Sequence, residues 1–263
     1  MDLSDAYANG AYIEGAETFP PRWAADAVAF RDKMGSRAQL DISYGEGERH
    51  RFDLFPPAGA AKGLFVFVHG GYWMAFDKSS WSNLAEGLLS HGWAVAMPSY
   101  DLCPDVRIAD ITRQIAAAVT RAAQEVDGPI LLAGHSAGGH LVARMLDQDV
   151  LSPEVGERLQ TVMPISPLSD LRPLMQTGMN EKLGLDAAEA AAESPLDMQN
   201  RYGARVVVWV GANERPAFLD QARWLAESWG AGHVEAADKH HFDVIEPLAD
   251  PESDMVRTLL GEN

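Results

Sequence analysis

The chain has 263 residues, with 38 Asp or Glu against 21 Lys or Arg, for a formal net charge of −17. Such a surface repels phosphate backbones and anionic lipid, which argues against nucleic acid and membrane partners and in favour of a solvated acidic exterior. A single cysteine, Cys103, excludes an intrachain disulfide and fits a reducing, cytoplasmic setting.

The first twenty residues carry Asp2, Asp5, Glu14 and Glu17 and no basic residue, so no secretory signal is expected. Apolar runs are strand-sized, far below the ~18 residues of a membrane span. Residues 1–36 read as an N-terminal extension rich in aromatics (Tyr7, Tyr12, Phe19, Trp23, Phe30), broken at Pro20-Pro21 and followed by a helix over 23–34. Residues 38–44 and 49–55 form two strands around Gly45-Glu46-Gly47; their partly polar pattern predicts an antiparallel hairpin at a sheet edge. Residues 63–69 are wholly apolar up to His69, as a strand buried on both faces requires.

From there strands alternate with helices. The spacing predicts a helix over 79–91, a strand over 94–98, and a helix over 107–125 with Ile108, Ile111, Ile115, Val119 and Ala122 on one stripe. A strand over 129–133 runs straight into a helix over 136–146. Further strands are expected at 159–165, 205–210 and 232–236, with helices at 217–229 and 252–260. This alternation predicts a single α/β domain over 1–263, with a mostly parallel central sheet of about eight strands and helices on both faces. It lapses over 166–200, a polar segment with Pro167, Pro173, Pro195 and an Ala/Glu-rich helix near 186–193, which reads as a cap insertion.

Three clusters carry chemistry. The first is Gly134-His135-Ser136-Ala137-Gly138-Gly139, between a buried strand and a helix. A Gly-x-Ser-x-Gly turn there lifts a serine hydroxyl above the sheet, with glycines where side chains would collide. Ser136 is the candidate nucleophile. The second is His69-Gly70-Gly71-Tyr72-Trp73 at a strand end. Acyl hydrolysis builds a negative oxygen, and backbone N–H groups must already point at it; Gly71, Tyr72 and Ala137 are the candidate donors. His69, Gly70 and Trp73 complete the motif and frame a substrate pocket, in which Tyr72, Trp73 and the aromatic N-terminal extension (residues 1–36) supply apolar walls unless Trp73 packs in the core.

The third is Lys239-His240-His241-Phe242-Asp243 after the last strand. Either histidine can serve as general base. A metal site is not expected, because no third ligand stands at a recognisable spacing. Asp243 and Glu246 read as a capping pattern for a short helix. The orienting acid must follow the strand at 205–210. Glu214 is the nearest carboxylate to its end, and Asp220, farther on within a helix, is the alternative. Glutamate is adequate, because its task is to orient and stabilise an imidazolium.

At these residues the chain resembles the kynurenine formamidase (arylformamidase) branch of the α/β-hydrolases, close to the hormone-sensitive-lipase-like esterases. The likeness extends to Tyr100-Asp101-Leu102-Cys103-Pro104 and His241-Phe242-Asp243, and covers roughly residues 40–250. It favours His241 over His240. It implies an α/β-hydrolase fold, a small-molecule acyl substrate, no cofactor, and hydrolysis of an N-formyl aryl amide, a small ester or a thioester. The family acid is commonly aspartate, whereas Glu214 stands here. A catalytically silent, ligand-binding hydrolase fold is the non-enzymatic alternative; an intact set of serine, acid, histidine and oxyanion glycines argues against it. Dimerisation is compatible with this fold, and no residue pattern demands it.

Overall fold

The computed structural model describes residues 2–200 and 202–262. Eight strands form one sheet: β1 (Gln39–Ser43), β2 (Arg51–Phe55), β3 (Leu64–Val68), β4 (Ala94–Pro98), β5 (Ile130–His135), β6 (Leu159–Ile165), β7 (Arg205–Gly211) and β8 (Gly232–Ala236). Their order is β1-β2-β4-β3-β5-β6-β7-β8. The β1–β2 and β2–β4 pairs are antiparallel, and every later pair is parallel. Both the edge hairpin and the parallel body therefore follow the expectation from patterning.

The helices are α1 (Phe19–Met34), α2 (Glu86–Ser90), α3 (Ile108–Glu125), α4 (Ala137–Arg144), α5 (Pro153–Gly156), α6 (Asn180–Leu183), α7 (Ala187–Glu193), α8 (Pro216–Trp229) and α9 (Asp254–Leu260). The sheet separates two apolar layers. One holds Val66, Ile111, Ile115, Leu132 and Leu141 beneath α3 and α4; the other holds Trp23, Phe65, Phe67, Leu88 and Met255 beneath α1 and α9. Strands β3, β4 and β5 are buried along their whole length, which accounts for their continuous apolar sequence. No helix among the described residues is long and apolar enough to cross a membrane.

Two expectations need correction. Pro20 and Pro21 open α1 instead of breaking the chain before it: at the first helical positions a missing N–H has no intrahelical partner to lose. The helix expected over 79–91 is present only as Glu86–Ser90, preceded by 3-10 turns at Lys78–Ser80 and Ser82–Ala85. Trp81, between the two turns, takes φ −128°. It packs its ring on Trp23 at 4.8 Å, so tertiary contact overrides helical periodicity there.

Strand order places the site. The chain lays β4 on one side of β3 and then returns to lay β5 on the other. Loops leaving the carboxyl ends of β3 and β5 diverge there, and an open α/β sheet holds its ligand crevice at such a reversal.

Candidate active site

Register brings the motif residues together. Strand β3 pairs with β5 through Val68↔Gly134, and β5 with β6 through His135↔Ile165. Strand β6 pairs with β7 through Ile165↔Trp209, and β7 with β8 through Gly211↔Ala236. The residues just beyond these pairs, Gly70, Ser136, Ser166 and Glu214, follow four successive strand ends. The His241 loop is tied to the same rim by Asn213 N–H donating to Lys239 O at 2.8 Å.

Ser136 sits between β5 and α4 with φ 56° and ψ −115°, a strained conformation for a non-glycine residue. Its N–H donates to Ile165 O at 2.8 Å. The flanking glycines are required by close approach. A Cβ on Gly134 would lie 2.2 Å from Gly138 O, and one on Gly138 would lie 2.0 Å from Val68 O. Both distances are impossible, so the turn closes only with glycine at each place.

Gly71, Tyr72 and Trp73 follow with φ of 109°, 52° and 56°. Three successive left-handed residues curl the chain after β3 and turn its N–H groups away from regular sheet pairing. Gly71 and Tyr72 border the cavity above Ser136. Ala137 is the first residue of α4, where a helix leaves its N–H groups unpaired and its dipole positive.

Glu214 is fixed by three donors. His241 Nδ1 donates to Oε2 at 2.6 Å, Gly211 N–H donates to Oε1 at 2.8 Å, and the Ser166 hydroxyl donates to Oε1 as well. Glu214 is 7% exposed and His241 5%. Asp220 is half-exposed on α8 and paired to Arg223 at 2.7 Å, remote from either histidine in its contacts. His240 lies outside the pair: its Nδ1 accepts from Phe242 N–H at 3.1 Å. Asp243 does not cap a following helix as expected; its carboxylate accepts from His240 N–H at 2.7 Å, holding the turn that presents His241. Ser136 and His241 share the floor of one cavity but form no hydrogen bond to each other here. That contact commonly tightens only in the substrate complex.

The cavity encloses about 490 Å³. Tyr7, Trp23, Tyr72, Phe76, Trp81 and Phe242 give it an aromatic lining. The N-terminal aromatics Tyr7 and Trp23 were expected near the site; Phe76 and Trp81 carried no periodic signal that would have exposed them. Two pocket assignments are corrected. Trp73 is fully buried in the core, edge-on to His140 at 5.1 Å. His69 is 1% exposed beneath the turn, with Nδ1 donating to Gly70 O at 2.7 Å and its ring stacked on Tyr100 at 4.3 Å. Both hold the loop that Gly70, Gly71 and Tyr72 present to the cavity. Ser166 was missed by sequence reasoning; its one signal is a hydroxyl directly after β6, next to the strand that leads to Glu214.

Three buried histidines are held neutral. Burial pushes His69 down to about 4 and His140 down to about 3, and burial with His241 alongside pushes His135 well below the usual range. The unfolded chain takes up these protons near pH 6.5 while the folded chain does not, so their stabilisation is complete above about pH 6.5 and is lost as pH falls towards 4. His69 and His140 together are expected to remove about 3 kcal/mol between pH 6.5 and 5. Denaturant midpoints across that range check this, and a flat profile would contradict it.

A protein-family model described as alpha/beta hydrolase fold matches residues 65–201, slightly more than half of the chain. Kynurenine formamidase of Danio rerio is 26% identical over 246 residues, covering 88% of this chain and 83% of that protein. The Drosophila melanogaster kynurenine formamidase is 29% identical over 238 residues, covering 83% and 79%. A crystal structure from Silicibacter sp. TM1040, provisionally described as a thioesterase, superposes with a TM-score of 0.98 at 70% identity over 99% of both chains. Esterase B of Lactobacillus rhamnosus shares the fold with a TM-score of 0.67 at 20% identity, over 98% of this chain and 96% of its own. The chain belongs to the α/β-hydrolase fold family and is similar in sequence to kynurenine formamidases.

Proposed function

We propose that the protein is a serine hydrolase that removes a small acyl group, foremost a formyl group, from an aryl amide. The observation that carries this reading is the buried Glu214–His241 pair, at 2.6 Å, opening with Ser136 onto an aromatic cavity. His241, its Nδ1 proton held by Glu214, takes the Ser136 proton at Nε2. The Ser136 oxygen bonds to the carbonyl carbon, and the resulting oxyanion accepts hydrogen bonds from the N–H groups of Gly71, Tyr72 and Ala137. Collapse breaks the bond to the leaving group as His241 protonates it. Water, deprotonated by the same histidine, then attacks the acyl-serine and releases the acid and free Ser136. Every proton passes through His241, so the cycle balances without a cofactor.

The aromatic wall favours a planar aryl leaving group beside a small acyl group. The formamidase relatives match this reading, whereas the Silicibacter structure favours a second one, thioester hydrolysis. The N-terminal segment and residues 166–200 are proposed to form the lid, since Tyr7 and Met179 both border the cavity. The test compares kcat/KM for N-formylkynurenine, p-nitrophenyl acetate and a short acyl thioester. The formamide is expected to be preferred. Preference for the thioester would move the substrate class to the second reading, and failure of a fluorophosphonate probe to label Ser136 would overturn the serine mechanism.

A further inference from the structure

Tyr72 belongs to the turn after β3 through its backbone and reaches a distant part of the chain with its side chain. Its φ of 52° lies between 109° at Gly71 and 56° at Trp73. A non-glycine residue holds such a conformation only under constraint. Neither Gly71 N–H nor Tyr72 N–H donates to an acceptor among the described residues, and both residues border the cavity that holds Ser136. The turn thus leaves two donors free in a strained backbone, which something must hold.

Two of its anchors are local to the sheet rim. Met74 N–H donates to Gly71 O at 2.9 Å, and Cys103 N–H donates to Trp73 O at 2.8 Å. A third comes from the N-terminal segment: the Tyr72 hydroxyl donates to Tyr7 O at 2.7 Å, across 65 residues of chain. Burial pushes the Tyr72 phenol well above its usual pKa, so it stays a donor. The acceptor is itself fixed. Gln221 Nε2 donates to Tyr7 Oη at 3.0 Å, Leu3 N–H donates to Gln176 O at 2.9 Å, and Arg215 pairs with Asp5 at 2.9 Å. The Tyr7 and Tyr72 rings both stand edge-on to Phe218, at 5.8 and 6.5 Å, and Phe218 packs on His241 at 4.4 Å.

We propose that Tyr72 is a positioning residue whose hydroxyl, bonded to the N-terminal segment, holds the strained turn so that the N–H groups of Gly71 and Tyr72 meet the oxyanion; the inference rests on the serine-hydrolase reading above. Without that bond Tyr7 O loses its donor, and the turn is free to relax towards an ordinary φ. The peptide between Gly71 and Tyr72 then rotates, and its N–H leaves the oxyanion. Every acyl substrate develops the same oxyanion, so the effect falls on amides and esters alike and on the transition state more than on the bound substrate.

Tyr72→Phe tests this in the full chain, because phenylalanine keeps the ring and removes the hydroxyl. On whichever of N-formylkynurenine and p-nitrophenyl acetate the wild type turns over, kcat is expected to fall about tenfold with KM within about twofold. Ki for an aryl trifluoromethyl ketone, whose adduct with Ser136 carries an oxyanion, is expected to rise by about the same factor. Tyr202→Phe is the control for stability. It removes a bond of the same kind, from the Tyr202 hydroxyl to Leu151 O at 2.6 Å, near the amino ends of β6 and β7 and away from the site. It is expected to leave kcat within about twofold. Unchanged kcat in Tyr72→Phe, a loss confined to KM, an unchanged Ki, or an equal loss of kcat in Tyr202→Phe overturns the inference and leaves the serine mechanism standing. Failure of a fluorophosphonate to label Ser136 in the wild type overturns that mechanism, and this inference with it.

Discussion

Alanine in place of Ser136 is expected to lower kcat/KM about 10⁵-fold, with the melting temperature nearly unchanged. The size follows from what the hydroxyl does. It supplies the oxygen that becomes covalently bound, and no other group on the cavity floor can replace it. His241 is committed to Glu214 as the base, so it does not take the place of the serine. Residual turnover would come from donors that still polarise a bound carbonyl while water attacks. Stability is insulated because the elbow is held by backbone. Ser136 N–H donates to Ile165 O, and His140 N–H donates to Ser136 O at 3.1 Å, and alanine keeps both bonds. Alanine also takes the φ of 56° at about the same strain as serine. Steady-state kinetics with a melting curve on the same sample separates the two effects. A variant that retains most of its activity would remove Ser136 from the mechanism.

The elements legible in the sequence are those whose pattern is set locally. Strands β3 and β5 declare themselves because burial on both faces leaves no polar position, and the elbow because only glycine fits at 134 and 138. The α1 start was misplaced because proline is read as a breaker unless its position in the first turn is known. The failed helix near Trp81 is a tertiary effect, an indole drawn onto Trp23 across a long stretch of chain. Ser166 presents a different difficulty. It belongs to no motif, and it matters through the strand pairing that brings β6 beside β7. Trp73 shows the converse. The sequence left its side chain open between cavity and core, and its φ of 56° belongs to a turn that carries the ring inward.

Glu214→Gln is expected to lower kcat about 10⁴-fold with little change in KM, a loss set by hydrogen-bond direction. Oε1 accepts from Gly211 N–H and the Ser166 hydroxyl, so a glutamine must keep its carbonyl oxygen at that place. Its amide nitrogen then faces His241 Nδ1. Two donors cannot pair, so the imidazole shifts its proton to Nε2, the nitrogen that must be free to take the Ser136 proton. The side chain stays the same size and the base is disabled. Ser166→Ala removes one donor from the carboxylate but leaves Gly211 and His241 in place, so the tautomer is kept, and a loss of about tenfold is expected. The contrast between the two variants is the informative quantity. If Glu214 served packing alone, the nearly isosteric glutamine would be the milder change of the two; if it orients His241, glutamine is the more damaging by about three orders of magnitude.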